Sequence, residues 1–215
     1  MFAKAYELLI KTDEIYYNKI LKVFNQTSIE VCEGQQFDMN FETQEDITIP
    51  EYIKMIRLKT GVLIAACFNV GSIIAFASDE DAQNIYSFGE NLGIAFQLQD
   101  DLLDVYAEQN KFGKKIGSDI LTNKKTFLLI KALELAKDKT SEKLKSILKS
   151  NNFIPEEKIK EVTAIYNFLN IKELTIKMID NYYEKSLRYL ELLSINNGKK
   201  KVLKDFAGSI MKRDF

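Results

Sequence analysis

The sequence predicts an all-α fold, a single helical bundle over residues 1–215. Three observations carry this: only 2 Pro and 9 Gly interrupt 215 residues, apolar residues recur at three- and four-residue spacing, and 46% of the chain is hydrophobic. A chain of this length buries roughly 70% of its unfolded surface as one domain. No repeat, low-complexity tract or linker divides it.

The first helix is expected over residues 2–11. Thr12 or Asp13 caps a second, reaching about residue 36, with Ile20, Val23, Phe24, Thr27 and Val31 at helical spacing. Its apolar positions, which also include Ile15 and Tyr16, cover more circumference than one core stripe needs. Residues 37–49 read as a loop. Pro50 and Glu51 then open a helix, a proline in the first turn and a carboxylate at the positive end of the dipole. Residues 60–78 are uncharged, about the length of a bilayer span. Asn69, Gly71, Ser72 and several alanines make that stretch small-sided, so it reads as a helix buried on all sides and not as a transmembrane segment. Ser78, ahead of Asp79, Glu80 and Asp81, caps a long helix to about residue 107. A lysine-rich loop over residues 110–123 follows, then helices over 124–137, 141–149, 155–168, 171–193 and 199–212.

Thirty basic against 31 acidic residues leave a formal charge of -1, which gives no global attraction to nucleic acid or to an anionic membrane surface. Cys32 and Cys67 stand apart without a CxxC pattern, which suits unpaired thiols in a reducing cytoplasm, and the N-terminus has no secretory signal. Histidine is absent, which removes the usual general base and every Ser-His or Cys-His pair. Chemistry must run on metal-bound carboxylates or on the substrate itself.

Charge is concentrated in one place. Between Lys59 and Lys111 there is no basic residue, but Asp100, Asp101, Asp104 and Glu108 occur in close succession; Lys111, Lys114, Lys115, Lys124 and Lys125 then face the single acid Asp119. Asp100 and Asp104 lie one helical turn apart on one face, with Gln97 a further near-turn back. A hard divalent cation relieves their repulsion. Mg²⁺ takes one or two carboxylates and completes its shell with water and phosphate oxygens, for which the lysines supply charge and Gly113 and Gly117 a closely turning backbone. Each segment alone reads equally well as a solvated helix end or a surface loop.

Gln97-Leu98-Gln99-Asp100-Asp101-Leu102-Leu103-Asp104, then Gly113-Lys114-Lys115-Ile116-Gly117-Ser118-Asp119-Ile120 and Lys124-Lys125-Thr126, resemble the second aspartate-rich motif and downstream loop of the trans-polyprenyl diphosphate synthases. Lys59-Thr60 resembles the family's Lys-Thr pair, and Gly34-Gln35-Gln36-Phe37-Asp38 its Gly-Gln-x-x-Asp segment. The resemblance implies the isoprenoid synthase bundle, Mg²⁺ as cofactor, and addition of isopentenyl diphosphate to an allylic diphosphate with release of pyrophosphate. It assigns Asp100, Asp101 and Asp104 to metal, and Lys59, Thr60, Gln97, Lys114 and Lys124 to the substrate, with Lys59, Thr60 and Gln97 nearest the chemistry. It further implies a cytoplasmic homodimer built on the second helix.

The family's first aspartate-rich motif has no counterpart here. Only scattered acids such as Asp13, Glu30, Glu33 and Asp38 precede Lys59. The chain is expected to be N-terminally truncated relative to the family. The resemblance also leaves room for a silent diphosphate-binding subunit of the same fold or a helical terpene cyclase, although Gly-Lys-x-x-Gly-x-Asp favours elongation.

Overall fold

A computed structural model describes residues 2–107, 117–150 and 152–212, and among these there are helices and no strand. The helices are α1 (Phe2–Ile10), α2 (Glu14–Phe41), α3 (Ile49–Ile56), a π-helical turn (Arg57–Gly61), α4 (Val62–Ile74), α5 (Asp79–Tyr106), α6 (Ser118–Leu121), α7 (Phe127–Leu135), α8 (Asp138–Lys149), α9 (Pro155–Phe168), α10 (Ile171–Glu191) and α11 (Asn197–Met211).

The long helix α5 is central, packed against α4, α10, α7, α11 and the π turn. Leu92, Leu98, Leu102 and Leu103 on it are wholly buried. Each such side chain contributes about 1.5–3 kcal/mol relative to an exposed one. One core cluster joins Tyr52, Ile56, Leu98, Leu102, Phe127, Leu128, Leu144, Val162 and Ile171. A smaller one joins Ile85, Phe88, Leu92, Leu190 and Ala207 near the other end of α5.

Local chemistry sets the ends of the site-bearing helices. Thr48 opens α3 with a capping box: its side chain accepts from Glu51 N, and Glu51 Oε2 accepts from Thr48 N at 2.8 Å, with Pro50 in the first turn. Ser78 caps α5 by accepting from Asp81 N at 3.1 Å.

Three sequence expectations differ from the structure. Helix α2 does not stop near residue 36 but runs to Phe41, because Thr27, Gly34 and Phe41 continue one buried stripe at seven-residue spacing. The loop of residues 110–123 contains a short helix, α6, in its described part. Helix α4 is not buried on all sides: Leu63 and Ile74 are 52% and 49% exposed, and α2 and α5 cover its other faces. The continuous helical run Ile49–Ile74 is long and apolar enough to cross a membrane by length and composition. On α2, Ile20 and Thr27 face the interior while Ile15 and Ile29 are exposed.

The start of α5 is tied to the turn after α10. Asp81, buried, accepts from the Ser194 hydroxyl and from Ser194 N at 2.8 Å. Those two bonds hold its carboxyl below the usual carboxylate range, against the opposing effect of burial. A depressed folded pKa gives stability that is complete above the unfolded value of about 3.9 and is lost as pH falls through the folded value. Asp81→Ala is expected to lower unfolding free energy at pH 7 by about 1.5–3 kcal/mol. Urea titrations should show the gap from wild type shrinking below pH 4; a gap constant down to pH 2 contradicts the assignment.

Candidate active site

The site forms where α2, the π turn, α5 and the segment before α7 meet. Helix α2 reaches the π turn by backbone contact: a Cβ on Gly34 would lie 2.4 Å from Lys59 N and 2.7 Å from Leu58 C. Only glycine permits that approach. One turn later, Asp38 meets the Lys59 ammonium at 2.5 Å, both side chains half-buried. The Gly-Gln-x-x-Asp segment is thus a docking device for the Lys-Thr pair.

The next residue, Thr60, donates its hydroxyl hydrogen to Gln97 Oε1 at 3.0 Å, and Gln97 Nε2 donates to Asp101 Oδ1 at 3.0 Å. Asp101 is 2% exposed. Its other oxygen accepts from the Tyr52 hydroxyl at 2.5 Å, and Lys124 Nζ lies 3.7 Å from Oδ1. Lys124 also pairs with Asp119 at 3.3 Å.

Burial pushes the Asp101 carboxyl up, opposed by Lys124, Tyr52 and Gln97. Burial likewise raises Asp119, to about 6, against the pull of Lys124. For Lys124 burial acts downward, but the Asp101 and Asp119 carboxylates outweigh it and its pKa is raised. Lys124 therefore stays charged, with its ammonium anchored at the edge of an open cleft.

That cleft has a volume of about 1100 Å³. Phe41, Ile47, Ile130 and Leu148 give it an apolar floor, and Asp38, Lys124 and Lys125 stand on its wall. The segment carrying Lys124 is pinned at several points. Gly117, at φ +83°, donates its N–H to Asp104 O at 2.6 Å, a backbone conformation that glycine adopts without steric cost. Asp104 Oδ1 accepts from the Ser118 hydroxyl at 2.6 Å and Oδ2 from Asp119 N at 2.9 Å. Lys158 Nζ caps α6 at Leu121 O (3.0 Å), and Asn123 Nδ2 holds Leu148 O (2.9 Å).

Asp100 and Asp104 are half-buried and one turn apart on α5, whereas Asp101 between them is buried. Among the described residues no three acidic or thiol side chains converge into a ready-made cation site. The donor set fits Mg²⁺ all the same: Asp100 and Asp104 are hard carboxylates one turn apart, and the remaining positions of the shell suit water and phosphate oxygens. Gly113, Lys114 and Lys115 lie outside the described residues.

The structure therefore brings Thr60, Gln97, Asp101 and Lys124 into one hydrogen-bonded and ionic network; Lys59, next to Thr60 in the chain, pairs separately with Asp38, and Asp100 and Asp104 lie on the same helix as Gln97 and Asp101. Sequence reasoning missed Tyr52, whose partner lies 49 positions away. It also gave no sign of the π turn, a feature that often marks functional positions in helices.

The polyprenyl synthetase family matches residues 1–167. A short chain isoprenyl diphosphate synthase of Methanocaldococcus jannaschii is 35% identical over 99% of this chain and 64% of its own length. A geranylgeranyl diphosphate synthase of Methanosarcina mazei is 40% identical over 62% of this chain and 42% of its own length. Among solved structures, a geranylgeranyl pyrophosphate synthetase from Pyrococcus horikoshii superposes with a TM-score of 0.89 at 31% identity, covering 99% of this chain and 64% of that one. A geranylgeranyl pyrophosphate synthase superposes with a TM-score of 0.91 at 38% identity, covering 98% and 65%. The chain thus spans less than two thirds of the length of these relatives.

Proposed function

The chain belongs to the polyprenyl synthetase family, and from that premise we propose that residues 1–215 carry the allylic-diphosphate side of a prenyltransferase site. The reaction is addition of isopentenyl diphosphate to an allylic diphosphate with loss of pyrophosphate. The observation that supports it best is the bonded run from the Thr60 hydroxyl through Gln97 and Asp101 to the Lys124 ammonium, with Lys59, the residue before Thr60, held by Asp38.

Asp100 and Asp104 would hold Mg²⁺, with Asp101 behind them. When bound, the cation screens the charge that builds on the departing diphosphate. The chain's own residues do the rest. Lys59 and Lys124 bind the diphosphate, Lys114 joins them by its place in the motif, and Asp38 and Asp119 keep the first two aimed. Thr60 spends its hydroxyl hydrogen on Gln97, so its oxygen lone pairs are left to face positive charge on the allyl carbons.

Histidine is not needed for this chemistry. The family's cytoplasmic location and homodimer are part of the same proposal, supported by free Cys32 and Cys67 and by exposed Ile15 and Ile29 on α2.

Calorimetric titration with geranyl diphosphate, isopentenyl diphosphate and geraniol, each with and without Mg²⁺, tests the reading. Geranyl diphosphate is expected to bind in a Mg²⁺-dependent way and geraniol not to bind. Equal affinity for geranyl diphosphate with and without Mg²⁺ would overturn the assignment.

A further inference from the structure

Two tethers run from one helical segment to one face of α5. Tyr52, near the start of α3, reaches Asp101, and Thr60, in the π turn, reaches Gln97. Gln97 and Asp101 are one turn apart on α5 and bonded to each other. At about 100° per residue, eight α-helical residues would leave Thr60 roughly 80° around the helix from Tyr52. The π turn winds less per residue and takes up that excess, so both side chains face α5.

The order of donors along this chain is fixed by chemistry. Asp101 accepts on both oxygens, from the Tyr52 O–H on one and from the Gln97 NH₂ on the other. Gln97 must then turn its carbonyl to Thr60, and Thr60 must donate to it. The Thr60 lone pairs are left pointing away from Gln97. Lys124 reads the same carboxylate from the cleft side.

We propose that Tyr52 is a positioning residue for this site: its hydroxyl occupies Asp101 Oδ2 and thereby sets the Gln97 amide, the polarity of Thr60 and the seat of the Lys124 ammonium. The proposal rests on the diphosphate-binding reading above. Tyr52 is 1% exposed and so does not meet substrate; it acts through Asp101. Without its hydroxyl, Asp101 Oδ2 is a buried acceptor with no donor. The carboxylate can then rotate toward Lys124 and withdraw that ammonium from the cleft.

The test uses the full chain with Mg²⁺ and inorganic pyrophosphate in a calorimeter, for wild type, Tyr52→Phe, Lys124→Ala and the double variant. Phenylalanine keeps the ring packed and removes only the hydroxyl. Tyr52→Phe is expected to weaken binding about 10-fold, in line with partners one shell behind a site. The double variant should bind no more weakly than Lys124→Ala, because both act through one ammonium. A merely structural role predicts additive losses instead, and Tyr6→Phe, at an exposed hydrogen bond to Asn25, should change nothing.

Wild-type affinity in Tyr52→Phe, or additivity in the double variant, overturns the proposal. Absence of any Mg²⁺-dependent binding in wild type overturns the diphosphate reading instead. The donor order is checked independently by NMR on wild type: the Gln97 side-chain amide should be protected from exchange and coupled across its hydrogen bond to the Asp101 carboxyl carbon. A freely rotating amide contradicts the relay whatever the variants do.

Discussion

The 215-residue polypeptide, assayed by itself with Mg²⁺, isopentenyl diphosphate and geranyl diphosphate, is expected to form extended product at least 10³-fold more slowly than the usual enzyme range of about 1 to 10³ per second. Ionising an allylic diphosphate needs positive charge around the whole leaving group. This chain offers one carboxylate pair, Asp100 and Asp104, and the lysines near it. Ahead of Lys59 the acids are scattered, and Asp38 is already engaged by Lys59. Loss of one preorganised electrostatic contact commonly costs about 10² to 10³ in rate, and doing without a second metal-binding cluster costs more. Product analysis by thin-layer chromatography of labelled isopentenyl diphosphate reads this directly; turnover inside the usual range would show that one carboxylate pair suffices.

A large effect on stability is expected at Gly34. Replacing a mid-helix glycine by alanine ordinarily stabilises a helix by up to about 1 kcal/mol. At Gly34 the new methyl group would meet backbone atoms of Leu58 and Lys59, which cannot rotate out of the way. Overpacking of this kind costs about 1–3 kcal/mol or more, so the sign reverses. Thermal unfolding of Gly34→Ala should fall by roughly 2–12 °C for a chain of this size. Pyrophosphate binding should weaken as well, because Asp38 moves away from Lys59. Gly71, on α4, has nothing within 4 Å of an added Cβ, and Gly71→Ala should be neutral or stabilising. If both variants rise, helix propensity governs and the close approach of α2 to the π turn is not tight.

Much of this architecture is legible from residue types. Ser78 before three acids and Thr48-x-Pro-Glu set two helix starts through bonds made within four residues, and the sequence contains both partners of each. The acidic run and the lysines after it are likewise local, and so is the one-turn spacing of Asp100 and Asp104. What is not legible depends on distant segments. Residues 37–49 read as a loop, but α2 continues to Phe41, and Gly34 within it is where the helix touches the π turn. The small side chains of residues 60–78 suggest burial on every face; instead they let α4 approach α5, as where Gly89 meets Ala65, while Leu63 and Ile74 remain outside. Asp101 lies off the face shared by Asp100 and Asp104, but nothing in the sequence names its partner. Only the fold turns it inward to Tyr52.

The central claim is that the carboxylates of α5 and the lysines beside them form one Mg²⁺-diphosphate site. Calorimetric titration of the chain with pyrophosphate, with and without Mg²⁺, on wild type, Asp100→Ala and Lys124→Ala tests it most directly. The account predicts binding that requires Mg²⁺ and a loss of about 10-fold or more in each variant. Affinity that is the same with and without Mg²⁺, or unchanged by both substitutions, would contradict it.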